Sequence, residues 1–261
     1  MQSTIPSPVL WLAVAGVGVL ACVWYWLAAY ARRWDKETKA IASLENRGGR
    51  VYFESFSPWA MSDLTALLTR KRRVQKVWGV EFAGSCDDRT LQDVAAADKL
   101  QIALVKITDC QITDAGLASL CRFRHIKHLE LSGKQLTDAC IGSLVELRGL
   151  IGLVLESPQF GNAAIHGIGE YLDVTQLDGL SLAGGRMSDS GLSVLPRIES
   201  LSYLHIGCDQ VSDNALPYLK QLRGLKAIWL FATGVSHQAA EELAAALPDC
   251  EVNWDERCED G

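Results

Sequence analysis

At 261 residues, 49% of them apolar, the chain has room for one large domain or two ordinary ones around a buried core, and no stretch is polar enough to read as disordered. A net charge of −6 and a pI near 5.4 argue against a surface that tracks a phosphate backbone, so nucleic acid is not an expected partner. Eight cysteines occur with no C-x-x-C pair or other metal spacing, which argues against a zinc module.

Residues 1–8 form an uncharged tail, and residues 9–31 (VLWLAVAGVGVLACVWYWLAAYA) are uncharged and mostly apolar. As a helix they span roughly 34 Å, enough for one bilayer crossing. Trp24, Tyr25, Trp26, Tyr30 and Trp34 gather at the end beside Arg32 and Arg33, as an interfacial aromatic belt does. The expectation is a retained single-pass signal-anchor. Two processing readings stand beside it: Ala29-Tyr30-Ala31 is shaped like a signal cleavage site, and Val19 to Cys22 loosely like a lipobox. Residues 32–48 are a juxtamembrane helix or linker, with helix expected over 34–47. From Arg32 to Arg50 six basic residues face three acidic ones, a balance of +3, and no basic side chain precedes the span. The positive-inside rule then places the following domain in the cytoplasm.

From residue 49 to 254 one unit recurs: two or three aliphatic residues at strand spacing, a loop, then [S/T]-D-x-x-L-x-x-L. Ile102, Val105 and Ile107 lead into ITDAGLASL; Ile126, Leu129 and Leu131 into LTDACIGSL; Leu177, Leu180 and Leu182 into MSDSGLSVL; Leu201, Leu204 and Ile206 into VSDNALPYL. Degenerate units start at Leu150 and Leu225. The Asp position is held by Asp114, Asp138, Asn162, Asp189, Asp213 and His237, at steps of 24 residues with a single step of 27. An earlier unit carries Val77, Val80, Phe82, Asp88 and Leu91, and VYFES with Ser62-Asp63-Leu64 and Leu67 reads as an atypical first unit. The alternation suits a short strand, with Leu129 and Leu131 inward and Glu130 outward. The [S/T]-D pair reads as a helix start, the hydroxyl capping free N–H groups and the carboxylate meeting the positive end of the dipole. No unit buries both faces alone, so stacking is required. The expected fold is an α/β solenoid with a parallel concave sheet and short convex helices. Val252 and Trp254 make a final strand, and residues 255–261 an acidic tail.

These residues resemble the leucine-rich-repeat family, within it the ribonuclease-inhibitor-like and F-box-type repeats, and are similar to bacterial membrane-anchored proteins built on an LTDAGL-type 24-residue unit. The resemblance covers residues 49–254 and implies a curved protein-binding scaffold without a cofactor. The usual loop Asn is replaced by Cys110, Lys134, Pro158, Gly185, Asp209 and Thr233, so no asparagine ladder is expected.

No nucleophile elbow, P-loop, dinucleotide fingerprint or H-E-x-x-H occurs, and His125, His128, His166, His205 and His237 do not converge, so neither an enzyme, a metal site nor a small-molecule substrate is expected. Arg70-Lys71-Arg72-Arg73 reads as a solvated helix end or a contact to anionic lipid. Cys110, Cys121 and Cys140 fall at or beside buried positions as small hydrophobes; Cys250 and Cys258 pair into a disulfide if the domain is exported. The outward strand positions are Glu81, Lys106, Glu130, Val154, Ser181, His205 and Trp229. Glu81, Lys106 and Glu130 alternate in sign and are expected to pair. Tyr203, His205, Trp229 and Phe231 put an aromatic patch at the other end, which reads either as partner-binding or as covered by the C-terminal tail. Binding a protein partner is the expected role, and self-association as an envelope protein the alternative.

Overall fold

The computed structural model describes residues 35–53, 77–84, 86–96, 100–120, 125–171 and 175–255, with Tyr25, Ala28 and Arg32 besides. The expected span 9–31, the basic run 70–73 and the tail beyond Asp255 lie outside the described residues, as do Ser62 to Leu67 of the atypical unit and the Cys258 half of the expected disulfide. Among the described residues no helix is long and apolar enough to cross a membrane.

Nine strands form one sheet in chain order: β1 (Arg50–Phe53), β2 (Val77–Ala83), β3 (Leu104–Thr108), β4 (His128–Ser132), β5 (Gly152–Glu156), β6 (Gly179–Ala183), β7 (Tyr203–Gly207), β8 (Ala227–Leu230) and β9 (Glu251–Trp254). From β2 to β9 all pairs are parallel, and the register aligns the repeat. One inward row runs Val80, Val105, Leu129, Leu153, Leu180, Leu204, Ile228, Val252; the other runs Phe82, Ile107, Leu131, Leu155, Leu182, Ile206, Leu230, Trp254. Against them pack Leu91, Leu117, Leu120, Ile141, Leu144, Ile165, Ile168, Leu192, Leu195, Leu219 and Leu243, all buried. Each connecting segment brings the chain back to the same end of the sheet, which is what a parallel pair needs.

The sheet is not parallel throughout. β1 runs antiparallel to β2, with Arg50 opposite Glu81 and Tyr52 opposite Gly79. β1 follows a helical run, 35–46, through a turn at Arg47 to Gly49 in which Gly48 takes φ +82°. That run is more than a connector: Leu44 is buried in the core, with Ala40 and Ile41 packed beside it, so it closes the open end of the stack.

The segments behind the sheet are helices of unequal kind. Asp88–Ala96, Asp114–Leu120, Cys140–Leu144, Asn162–Tyr171, Leu216–Leu219 and His237–Ala246 are α-helical, whereas Asp189–Arg197 and Asp213–Ala215 are 3-10. Pro196 lies near the end of the first 3-10 run, and Pro217 opens the α-helix that follows the second, where the first turn tolerates it. Asn162–Tyr171 has ten residues against seven in Asp114–Leu120, and the 27-residue step leaves the Leu153 to Leu180 register undisturbed.

The repeated aspartate does more than meet a helix dipole. Asp88, Asp114, Asp189 and Asp213 each accept both the backbone N–H and the hydroxyl of one residue in the following unit. These are Thr113 (2.9 and 2.8 Å), Thr137 (2.9 and 2.6 Å), Ser212 (2.6 and 2.8 Å) and Ser236 (2.7 and 2.8 Å). Asp138 accepts the Gly161 N–H at 2.7 Å, and Asn162 takes the Ser188 N–H on Oδ1 while its Nδ2 donates to the Ser188 hydroxyl, both at 2.9 Å. A ladder of side chains thus joins consecutive units. It also limits the residue that follows two places after each aspartate. A Cβ on Gly116 would meet Asp88 Oδ1 at 2.0 Å, and one on Gly191 would meet Asn162 Oδ1 at 2.4 Å. The equivalent buried positions hold Cys140, Ala164, Ala215 and Ala239, all small. The Ser and Thr residues still cap: Ser236 accepts from Ala239 N–H and Ser212 from Asn214 N–H.

At the C-terminus His237 stands in the Asp position and meets Trp254 edge-on, with ring centroids 5.4 Å apart. The carboxylate of Asp255 accepts the N–H of Ala232, a residue held at φ +51°, and so ties the end of β9 to the loop after β8.

Candidate functional site: the open face of the sheet

Helices cover one face of the sheet, and among the described residues the other is open. Because helices are about 10 Å across and strands about 4.8 Å apart, stacking the two bends the sheet toward its open side. The middle row on this side is Glu81, Lys106, Glu130, Val154, Ser181, His205, Trp229, Asn253, in direct register. The row before it is Gly79, Leu104, His128, Gly152, Gly179, Tyr203, Ala227, Glu251.

At the C-terminal end the four aromatic residues read from the sequence come together, three on β7 and β8 and Phe231 directly after β8. Tyr203 and Phe231 are 41% and 39% exposed, and His205 and Trp229 are half-buried between them. Neighbours pair diagonally: Tyr203 lies nearly parallel to Trp229 (centroids 6.5 Å, 22°), and His205 is edge-on to Phe231 (6.0 Å). Lys226 Nζ sits 5.7 Å from the centre of the Tyr203 ring, a cation–π contact. His205 Nδ1 and Ser181 Oγ are 2.9 Å apart. Burial holds the His205 imidazole below its usual pKa, against a smaller opposite pull from Glu156. The ring is thereby kept neutral near pH 7.

At the other end a second aromatic group appears that outward-slot counting missed. Trp78 is 43% exposed at the rim of β2, and its ring stands 6.5 Å from that of His128, while Tyr52 on β1 is 40% exposed. The sequence held a signal for it in Val77-Trp78-Gly79, a large ring beside a glycine whose place on the open face is closely approached by Leu104. The charges here are shared differently from the expected chain of pairs. Lys106 closes on Glu130 at 2.9 Å, whereas Glu81 accepts the Tyr52 hydroxyl. That hydrogen bond raises the Tyr52 pKa, and the one to Glu130 raises that of Lys106.

Between the two groups the floor is low: Gly152, Val154, Gly179, Ser181 and Ala183 stand on β5 and β6, and a Cβ on Gly179 would meet nothing within 4 Å. From His128 on β4 to Tyr203 on β7 is three strand spacings, about 14 Å. The open face is therefore a trough with aromatic walls. Among the described residues no group of three His, Cys, Asp or Glu side chains could hold a metal ion.

A 24-residue unit of strand and short helix, stacked through an aliphatic core and a polar ladder, makes this chain a leucine-rich-repeat solenoid. No family model and no curated protein matches it. Among solved structures it is similar to internalin C2 of Listeria monocytogenes, at 18% identity over 75% of this chain and 92% of that one, with a TM-score of 0.46. It is also similar to a leucine-rich-repeat protein of Leptospira interrogans, at 14% identity and a TM-score of 0.41, over 62% of this chain and 38% of that one.

Proposed function

We propose that the chain is a membrane-anchored scaffold, held by residues 9–31 with its solenoid in the cytoplasm, that binds one protein partner across the open face of the sheet. The observation that carries the binding role is the cluster of Tyr203, His205, Trp229 and Phe231, four rings on or directly after two adjacent strands where core packing asks for none. Exposed rings of this kind are the usual anchors of an interface. A helix with its side chains measures about 10–12 Å and so fits a trough about 14 Å wide. The anchor rests on the length and flanks of residues 9–31, and the cytoplasmic side on the basic residues that follow them.

Trp229→Ala in the full chain tests the binding role. Truncating an anchor ring in a desolvated centre costs about 2 kcal/mol or more, so partner capture is expected to fall at least about tenfold with the unfolding midpoint unchanged. Loss of stability with capture intact would mean that the ring is part of the C-terminal cap. Carbonate extraction tests the anchor: release of the full chain from membranes would refute it.

A second reading, self-association, is favoured by β9. Among the described residues it is the last strand of the sheet, so its outer backbone groups have no strand beside them there, and Asn253 Nδ2 and Trp254 Nε1 are buried donors without a hydrogen-bond partner. A concentration-dependent dimer in light scattering, lost on Val252→Pro, would support it over the scaffold.

A further inference from the structure

Cys86 and Cys110 sit in the loops that follow β2 and β3. Asp87 and Gln111 form a parallel bridge, and the Gln111 N–H donates to the Cys86 carbonyl at 3.0 Å. Each cysteine immediately precedes its bridging residue, so the two face each other in register at an interstrand spacing of about 4.8 Å, inside the roughly 4.4–6.8 Å Cα range of disulfides. Both are buried in the same core, 2% and 4% exposed, with the Cys86 thiol on the Asp87 carbonyl at 3.8 Å and the Cys110 thiol on the Thr108 carbonyl at 3.2 Å. The other cysteines among the described residues, Cys140, Cys208 and Cys250, fall in three separate units.

We propose that Cys86 and Cys110 are a disulfide-forming pair, joined when the chain meets a disulfide oxidant and held as two thiols where none is present. With glutathione disulfide as oxidant, one cysteine thiolate attacks a glutathione sulfur, forming a mixed disulfide and releasing one glutathione thiolate. The second cysteine thiolate then displaces the other glutathione. Two cysteine thiols become one disulfide, one glutathione disulfide becomes two glutathione thiols, and the two cysteine protons end on them. Burial pushes the Cys86 thiol well above its usual pKa, so the closed repeat holds little thiolate and exchange proceeds through opening of the first units. Once formed, the bond closes a loop of about 25 residues and fastens the first parallel unit to the second.

The full chain, purified under reduction, is equilibrated with glutathione disulfide, alkylated and peptide-mapped, with fragmentation that separates Cys110 from Cys121. The expected product is a single link, Cys86 to Cys110, with the loss of two hydrogens. It forms faster in mild urea and raises the unfolding midpoint by several degrees. Cys86→Ala is expected to abolish the link. Glutathione adducts without a link, a link to any other cysteine, or two free thiols after equilibration in urea would overturn the proposal. The mapping on the unsubstituted chain decides the matter even where the variant fails to fold.

Discussion

Replacing Asp114 separates the two readings of the repeated aspartate. Its carboxylate accepts the Thr137 N–H at 2.9 Å and the Thr137 hydroxyl at 2.6 Å, across the joint between two units. Asp114→Ala removes both acceptors and leaves a partly buried N–H unmatched. Hydrogen bonds to charged groups contribute about 1.5–3 kcal/mol each when buried, and partial exposure here reduces that, so a total loss of about 2–4 kcal/mol is expected. Asp114→Asn is the control, and the protein contains its own precedent. Asn162 serves the same joint with Oδ1 accepting the Ser188 N–H and Nδ2 donating to the Ser188 hydroxyl. The asparagine variant is therefore expected to lose less than about 1 kcal/mol. Urea unfolding followed by far-ultraviolet circular dichroism measures both. If the aspartate mattered only through the helix dipole, both neutral variants would lose the same few tenths of a kcal/mol, and the ladder would be refuted as a source of stability.

Two further predictions concern single residues. Leu180 is 2% exposed, between Leu153 and Leu204 in the inward row, so Leu180→Asp buries a charge without a partner and is expected to abolish the cooperative unfolding transition; a folded variant with an unshifted midpoint would mean the register is wrong. His205, whose pKa is lowered by burial, binds its proton more weakly folded than unfolded. Its contribution to stability is therefore complete above the ordinary value of 6.5 and declines as pH falls from there toward the folded pKa. Proton NMR of the ring is expected to titrate below 6.5, and a midpoint at or above it would refute the half-buried placement.

The inward rows were legible because period two and period 24 both act on residue type: Leu129 and Leu131 could not point outward without exposing the core. The four rings of the C-terminal cluster followed from the same alternation. The ladder did not, because the partner of each aspartate lies in the next unit, and one unit read alone offers only a helix end. What betrays it is the small residue two places on, Gly116 against Asp88 and Gly191 against Asn162, a spacing with no purpose inside a single helix. The direction of β1 was illegible for another reason. An apolar alternation is the same read from either end, so Val51 and Tyr52 carry no information about polarity. Trp78 escaped because it lies at the rim, where strand alternation no longer decides which way a side chain turns.

The ladder has a sense of time as well as of space. Every rung has an acceptor oxygen in one unit that takes a backbone N–H some two dozen residues later. A chain made from its N-terminus therefore completes each aspartate before the Ser, Thr or Gly that needs it has left the ribosome. Each unit thus presents a ready acceptor to its successor, and the rungs close in chain order as the units stack.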